Sequence, residues 1–486
     1  MDKIILRGLI KMNNSTIAAL ATPGGRGGIG IIKISGPQAA FIAKVIFRPF
    51  DPGADVESTM DAASSDTDNG SVQSHKLNYG QIVDPQTERV LDEVLVSVMK
   101  APRTYTKEDV VEINAHGGSV ALQAILSLVL RQGARLAAPG EFTKRAFLNG
   151  RIDLTQAEAV IDLVNARTEQ SLQFATAQVD GQLRKKVESI RGHLIQILTQ
   201  AEAAIDFPED VEDILNGLET ADSVQEHVVN PIKKLIQNFL DARVIRDGLD
   251  VAVVGKPNVG KSSLMNRLLR KDRAIVTEVP GTTRDVIEDT INIQGIPVIL
   301  SDTAGLHETD DPVETIGIEK TIEHVNGSDL VLFLVEANNP ITGEDHHIFD
   351  TVKTKPLIIA VNKVDLIGHE NDMVLPESWS AFDRVYISAL YGQGIDLLKD
   401  LIVKSVSGAA PIDQSDMVVP NLRHKVAFEH SLKAAQDMVA EFQNGTSTDL
   451  IAINIQEAID ALDEILGTNV KVDVLEQIFS QFCIGK

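Results

Sequence analysis

Apolar positions fall into three patterns along this chain, and each predicts a different kind of structure. Between Leu183 and Ala204 they fall at Leu183, Val187, Ile190, Leu194, Ile197, Ala201 and Ala204, in alternating steps of four and three. Such steps keep one stripe on one side of a helix. The segment is therefore expected to be a long helix with one packing seam, roughly 31 Å from the first stripe residue to the last at ~1.5 Å per residue. A single seam needs partners, so a bundle is expected. Pro208, in Asp206-Phe-Pro-Glu-Asp210, ends the pattern, because proline lacks the amide donor and clashes with the preceding turn. Ile455, Ile459, Leu462 and Leu466 resume the helical spacing toward the other end of the chain.

From about Leu249 to Lys404 the pattern switches to short apolar runs separated by helical stretches. The runs are Val251–Val254, Ile287–Ile293, Pro297–Leu300, Leu330–Val335, Leu357–Val361 and Val385–Ile387. Strands alternating with helices predict a doubly wound α/β domain with a mostly parallel sheet. Gln294-Gly295 suits a tight hairpin, which gives that sheet one antiparallel edge. Helical patterns on both sides of this region predict an α/β domain inserted into a helical one. Two independent helical domains are the other reading.

The third pattern lies in the first 150 residues. Ile29–Ile34, Val90–Met99 and Asp109–Ile113 read as strands and Val120–Leu130 as a helix, giving an α+β domain. Asp51 to His75 holds six acids and no Lys or Arg among many Ser, Asp and Gly residues, and reads as a flexible acidic insertion in a surface loop. The expected division is 14–150, 151–247, 248–404 and 405–486, the second and fourth segments being halves of one helical domain.

Length supports this division, since 486 residues suit roughly three domains of about 150. Aromatics make up only 4 % of a chain that is 43 % hydrophobic, so aliphatic residues must fill the cores. No apolar run reaches the roughly 18 residues that a membrane-spanning helix needs. The opening residues, with Lys3 and Arg7 but no apolar block before a cleavage site, argue against a secretory signal. A single cysteine, Cys483, excludes an internal disulfide and points to the cytoplasm. Ile484-Gly485-Lys486 does not complete a prenylation box. The formal net charge of −24 means that any nucleic-acid partner must be met by a local basic patch.

The chemistry concentrates in the α/β region. Gly255-Lys-Pro-Asn-Val-Gly260-Lys261-Ser262 follows an apolar strand and opens a helix, the setting in which a glycine-rich loop cradles phosphates. Lys261 is expected to reach the β- and γ-phosphates and the Ser262 hydroxyl to hold Mg²⁺. Asp302-Thr303-Ala304-Gly305 ends another strand, with Asp302 placed to assist Mg²⁺ through water and the Gly305 amide to sense the γ-phosphate. Asn362-Lys363-Val-Asp365 follows a third strand. The Asp365 carboxylate can accept two hydrogen bonds from guanine, and adenine offers no such donor pair, so the site should choose GTP over ATP. Ser388-Ala389-Leu390 fits the loop that supports the base. Gly281-Thr282-Thr283-Arg284-Asp285 lies where Thr283 can cap Mg²⁺ and read the γ-phosphate. These boxes stand in the order expected of a GTPase.

Leu306 occupies the place where Ras-like enzymes keep a water-orienting glutamine, so a substitute must come from elsewhere; Glu314 is a candidate acid. No arginine finger is evident. Asn258 either shapes the phosphate loop or helps hold a monovalent cation beside the β/γ bridge. The candidate nucleotide contacts are Asn258, Val259, Gly260, Lys261, Ser262 and Ser263, then Asp302, Thr303, Ala304 and Gly305, then Asn362, Lys363 and Asp365, then Ser388, Ala389 and Leu390. To these the loop before the second strand adds Gly281, Thr282 and Thr283. Lys261, Thr283 and Glu314 are the catalytic candidates.

These residues, together with Ala21-Thr-Pro-Gly-Gly-Arg-Gly-Gly-Ile-Gly-Ile, Pro139-Gly-Glu-Phe-Thr-Lys-Arg-Ala-Phe-Leu-Asn149, Asp153-Leu-Thr-Gln-Ala-Glu-Ala159 and the terminal Phe482-Cys-Ile-Gly-Lys486, closely resemble the MnmE (TrmE) family of GTPases in tRNA wobble-uridine modification. The resemblance runs from Thr16 to Lys486. It implies an N-terminal folate-binding and dimerisation domain, a central helical domain and an inserted G domain. It implies a homodimer that joins an MnmG-like FAD protein in a heterotetramer. Together they would add aminomethyl or carboxymethylaminomethyl groups to carbon 5 of the wobble uridine of tRNA, with 5-formyltetrahydrofolate or methylenetetrahydrofolate as the one-carbon source. It implies Thr277, Glu278, Val279 and Pro280 as further nucleotide contacts. It also implies a K⁺ site at Asn258, Thr277, Val279 and Thr282 that activates hydrolysis through G-domain dimerisation, with Glu314 orienting water. The matching folate positions are Lys33, Glu112, Arg151 and Lys486. Cys483 is either a small buried residue beside the folate pocket or a participant in the modification. The alternative function is a regulatory GTPase that docks on ribosomes or RNA and modifies nothing.

Overall fold

A computed structural model describes residues 15–23, 25, 27–50, 74–207, 217–272, 288–302, 324–368, 375–406 and 418–486. The described residues fall into two compact units, one drawn from the segments up to Ile161 and from Asp463 to Lys486, the other from the segments between Asp162 and Leu462.

The first unit is built on a seven-stranded sheet. Its strands are β1 (Ile17–Leu20), β2 (Ile29–Ser35), β3 (Phe47–Pro49), β4 (Leu77–Val83), β5 (Val90–Met99), β6 (Val110–His116) and β7 (Arg135–Leu136), in the order β3-β4-β5-β6-β2-β1-β7. Every pairing is antiparallel except β1 with β7. Strand alternation decides which side chains go inward. Ile32 and Ile34 of β2 and Val111 and Ile113 of β6 are buried in a core shared with the helices Ala39–Ile46 and Ser119–Arg131. Lys33 and Glu112, directly opposite in register, fall on the other face. The strands expected at β2, β5 and β6 are present. β4 escapes a pattern reading because Gly80 interrupts it, and the reason is spatial: a Cβ there would sit 2.2 Å from the Arg48 carbonyl oxygen.

The C-terminal residues of this unit pack on the helices Glu141–Leu148 and Leu154–Asn165. Leu475, Ile478, Phe479 and Phe482 share a buried cluster with Leu154 and Ala157. Gly140 begins the first of these helices with φ +65°, and a Cβ there would lie 2.6 Å from the Phe479 carbonyl oxygen. The Phe142 amide donates to the Lys486 carbonyl oxygen at 3.2 Å.

The second unit carries a six-stranded sheet, β8 (Leu249–Val254), β9 (Glu288–Ile293), β10 (Ile296–Asp302), β11 (Leu330–Glu336), β12 (Leu357–Asn362) and β13 (Asp383–Tyr386), ordered β13-β12-β11-β8-β10-β9. All neighbours are parallel except β9 and β10. Those two are joined through Gln294 at φ +52° and Gly295 at φ +92°, the left-handed pair that a two-residue hairpin requires. Parallel strands buried on both faces read as unbroken apolar runs. In β11, Leu332 and Leu334 join one core cluster and Val331, Phe333 and Val335 the other.

The long helix spans Gln182–Asp206, and its buried residues are the seven of the expected stripe. The helices Asn230–Asp247 and Leu422–Asn444, one before and one after the sheet in sequence, pack on each other. Asn238 and Arg246 also donate to the carbonyl oxygens of Val418 and Pro420 at 3.3 and 3.0 Å. The α/β domain is thus inserted into a helical bundle, as the flanking patterns predicted. Ile455, Ile459, Leu462 and Leu466 are buried on the Thr448–Leu466 helix. Among the described residues no helix is long and apolar enough to cross a membrane.

Candidate functional site

β8 ends at Val254 and the Lys261–Asp272 helix begins seven residues later, so the phosphate-loop sequence spans a strand end and a helix N-terminus. Its backbone is left-handed at three points: Gly255 at φ +151°, Asn258 at φ +64° and Gly260 at φ +101°. Side chains would also have no room at the glycines. A Cβ on Gly255 would lie 2.5 Å from the Leu334 carbonyl oxygen, and one on Gly260 2.2 Å from Asn362 Nδ2. The loop is therefore a cradle walled by neighbouring strands. Its amides are oriented by this backbone geometry, and the helix dipole adds a favourable field for an anion. Lys261 Nζ donates to the carbonyl oxygens of Gly255 at 2.7 Å and Lys256 at 3.0 Å, so the ammonium lies over the loop that should hold phosphates. Ser262 and Ser263 follow in the first turn of the helix, both exposed.

Asn362, at the end of β12, joins this loop to the base-recognition segments. Its Nδ2 donates to the Val259 carbonyl oxygen at 2.7 Å and its Oδ1 accepts the Ala389 amide at 3.0 Å. The side chain is fully enclosed, so both bonds stand in a low-dielectric setting where breaking either leaves a polar group unmet. Lys363 follows at φ +66° and pairs with Glu336. Ser388 donates to Asp365 Oδ1 at 2.6 Å and its Oγ accepts the Tyr391 amide at 3.2 Å. One carboxylate oxygen is thus fixed by a buried serine while the residue itself stays exposed. Leu390 is also exposed. Asp302 closes β10 and pairs in register with Val253 of β8, which places its backbone beside the start of the phosphate loop.

Thus Asn258, Val259, Gly260, Lys261, Asn362, Asp365, Ser388 and Ala389 are brought together by three strand ends. Thr277, Glu278, Val279, Pro280, Gly281, Thr282, Thr283, Thr303, Ala304, Gly305 and Glu314 lie outside the described residues, as does the acidic stretch 51–73. Sequence reading missed the supporting ring. Asp345 and Thr342, at the start of the Gly343–Val352 helix, hold Lys256. The capping-box spacing Thr342-x-x-Asp345 signals the helix start and says nothing of the lysine it would meet.

A second cluster lies in the first unit. Lys33 Nζ is 3.8 Å from Glu112 Oε1 and lies 5.7 and 5.5 Å from the ring centres of Tyr105 and Phe142. Burial lowers the Lys33 pKa; the Glu112 charge opposes that, and the Lys486 charge adds to it. Arg151 stacks its guanidinium 4.8 Å from the Tyr105 ring centre and donates to the Tyr105 carbonyl oxygen at 3.3 Å. The Tyr105 hydroxyl pairs with Thr143 at 2.9 Å. All four expected positions, Lys33, Glu112, Arg151 and Lys486, therefore belong to one neighbourhood organised by two rings. Tyr105 and Phe142 were missed as site residues, although Phe142 stands inside a motif already conspicuous in sequence. Cys483 is exposed, which corrects the reading of a buried residue. Phe482 is the residue that turns inward, against Phe479 at 5.5 Å between ring centres, and the turn that follows leaves the thiol outside.

Beside this cluster the Glu141–Leu148 helix carries a buried ion network. Arg145 donates to Glu108 at 3.1 Å and Glu141 at 3.0 Å, and Arg135 donates to Glu141 Oε2 at 2.8 Å. Burial pushes the Glu141 carboxyl up, but the hydrogen bonds from Arg135, the Ala138 amide and Arg145 outweigh it and hold the pKa below its ordinary value.

Comparison with known proteins matches residues 16–151 to the family described as GTP-binding protein TrmE N-terminus and residues 154–483 to the MnmE helical domain. The tRNA modification GTPase MnmE of Carboxydothermus hydrogenoformans is 44 % identical over 476 residues, 98 % of this chain and 100 % of that protein. That of Thermoanaerobacter pseudethanolicus is 44 % identical over 471 residues, 97 % of this chain and 99 % of its own. That of Enterococcus faecalis is 41 % identical over 477 residues, 98 % and 99 % of the two chains.

Proposed function

This chain belongs to the MnmE family of tRNA modification GTPases, and on that premise we propose that it binds GTP with Mg²⁺ at the loop from Gly255 to Ser263, hydrolyses it, and couples hydrolysis to modification of carbon 5 of the wobble uridine in tRNA. The observation that carries the reading is the Asn362 bridge. One buried amide ties the phosphate loop, through Val259, to the base-supporting segment, through Ala389. That bridge fixes the spacing between a phosphate cradle and the exposed Asp365 carboxylate, whose Oδ1 is steadied by Ser388 and whose remaining lone pairs can accept the two guanine donors.

In this reading the loop amides and Lys261 hold the phosphates, and Lys261 gives up its two carbonyl partners to do so. Ser262 and Thr283 hold Mg²⁺, which when bound neutralises charge building on the phosphate oxygens. Asp302 assists through water, and the Gly305 amide senses the γ-phosphate. Glu314 orients the attacking water in place of the missing glutamine. Asn258, Thr277, Val279 and Thr282 would hold K⁺, which when bound would supply the positive charge that an arginine finger supplies elsewhere.

The first unit serves the one-carbon chemistry. Lys33, Arg151 and Lys486 are cations suited to the carboxylates of a folate, and the Tyr105 and Phe142 rings beside them suit its flat rings. We read the domain limits as 14–150, 151–247, 248–404 and 405–486. The working assembly is a homodimer with an MnmG-like FAD protein.

The test is nucleoside analysis of tRNA from cells lacking this gene. The 5-substituted wobble uridines should disappear, return with the wild-type gene and stay absent with Lys261→Ala. An unchanged nucleoside profile after deletion would reject the function.

A further inference from the structure

Asp345 is the third residue of the Gly343–Val352 helix and closes its capping box. Its Oδ2 accepts the Thr342 amide at 2.8 Å and the Thr342 hydroxyl at 2.9 Å. Capping alone does not ask for a charge, since a neutral amide oxygen fills the same role. Yet this side chain is 1 % exposed, and its Oδ1 meets no hydrogen-bond donor. An ionised carboxylate that deep, with one oxygen unmet, is strongly unfavourable unless a cation stands against it.

Lys256 is that cation. Its Nζ lies 2.7 Å from Asp345 Oδ2 and donates to the Thr342 hydroxyl at 3.1 Å. Lys256 is also the second residue of the phosphate loop, and its carbonyl oxygen is one of the two that accept Lys261 Nζ. A chain of contacts therefore runs from a buried carboxylate, through Lys256, to the ammonium that should meet the phosphates.

We infer that Asp345 is a positioning residue for the nucleotide: by clamping Lys256 it fixes the phosphate loop from its outer side, and with it the carbonyl that aims Lys261. The inference rests on the phosphate-loop reading above. A lysine at the second loop position would otherwise be free to swing, and its main-chain carbonyl with it. A guanine nucleotide held through its phosphates should then leave faster.

The experiment uses the full-length chain with Mg²⁺ and a fluorescent GDP analogue, measuring release in stopped flow. Asp345→Asn keeps an oxygen for the cap and removes the charge; Lys256→Met removes the partner. Each variant should release nucleotide about tenfold faster, and the double variant no faster than either alone. Lys256→Met strands the buried Asp345 charge, so melting of the nucleotide-free protein should fall for that variant and less for Asp345→Asn, and release is read well below both melting temperatures. Release at the wild-type rate from a folded Asp345→Asn protein would overturn the inference, as would effects that multiply in the double variant. If Asp345→Asn does not fold, Lys256→Met alone decides by the same rate. A wild-type chain that takes up no guanine nucleotide would instead sink the phosphate-loop reading itself.

Discussion

In the second unit, backbone geometry shapes the nucleotide cradle, with a neutral amide bridging it to the base-supporting segment and one charge pair behind it. In the first, buried charges hold the cluster around Lys33 and its neighbouring ion network. The glycine loop gets its form from left-handed residues that a Cβ would collide with, and the Asn362 side chain that spans it carries no charge. In the first unit, Arg145 is 3 % exposed between two carboxylates, and Lys33 lies against two rings and one carboxylate. The difference implies opposite vulnerabilities. The cradle should fail outright when a side chain is added and only loosen when the Asp345–Lys256 pair is broken, whereas the cluster should fail when a charge is taken away.

The strongest way to break that comparison is Arg145→Met. Methionine roughly fills the volume but leaves Glu108 and Glu141 buried without their shared cation. Removing one member of a buried pair costs about 3–5 kcal/mol. Urea unfolding should show an early transition of that size in the first unit, while GTP affinity stays at the wild-type value. Equal loss of both would mean that the two regions do not stand on separate supports.

Asp365→Asn sharpens the other half. The fold should hold, because the Ser388 hydroxyl can bond an amide oxygen as it bonds the carboxylate at 2.6 Å. What is lost is a charged acceptor for guanine, worth roughly 1.5–3 kcal/mol. Preference for GTP over XTP should fall by roughly ten- to a hundredfold, read by competition against labelled GDP. Unchanged competition would show that base selection comes from elsewhere.

The same contrast explains what could be read without coordinates. Gly255, Gly260, Lys261, Asn362 and Asp365 sit in short contiguous boxes at strand ends, because backbone geometry is written locally. The seven-residue stripe on Gln182–Asp206 was equally legible, since a helix repeats its own period. The Lys33 cluster draws single residues from β2, β6, the loop at Tyr105, the start of the Glu141–Leu148 helix and the final residues. Nothing local announces such a meeting, and its members were named only through a family likeness. β4 was hidden by Gly80, whose reason is a neighbouring strand. Nothing local to Asp345 announces its lysine, which lies 89 positions earlier in the chain.

Lys33 offers the finest test of the charge-held region. Its pKa in the folded chain is lowered from 10.5, first by burial and then by the Lys486 charge, against the pull of Glu112. Between the lowered value and 10.5 the unfolded chain holds the proton more often than the folded one. Unfolding free energy must therefore rise with pH across that window. Below the lowered value both states are protonated, and the full cost of the buried ammonium is present without a slope. Arginine keeps its charge throughout the range, so Lys33→Arg should remove this gain. Stability measured by urea at successive alkaline pH values should diverge, wild type gaining on Lys33→Arg as pH rises toward 10.5. Parallel curves would mean that Lys33 is solvated well enough to keep its ordinary proton, and the cluster would then owe its form to the rings and not to charge.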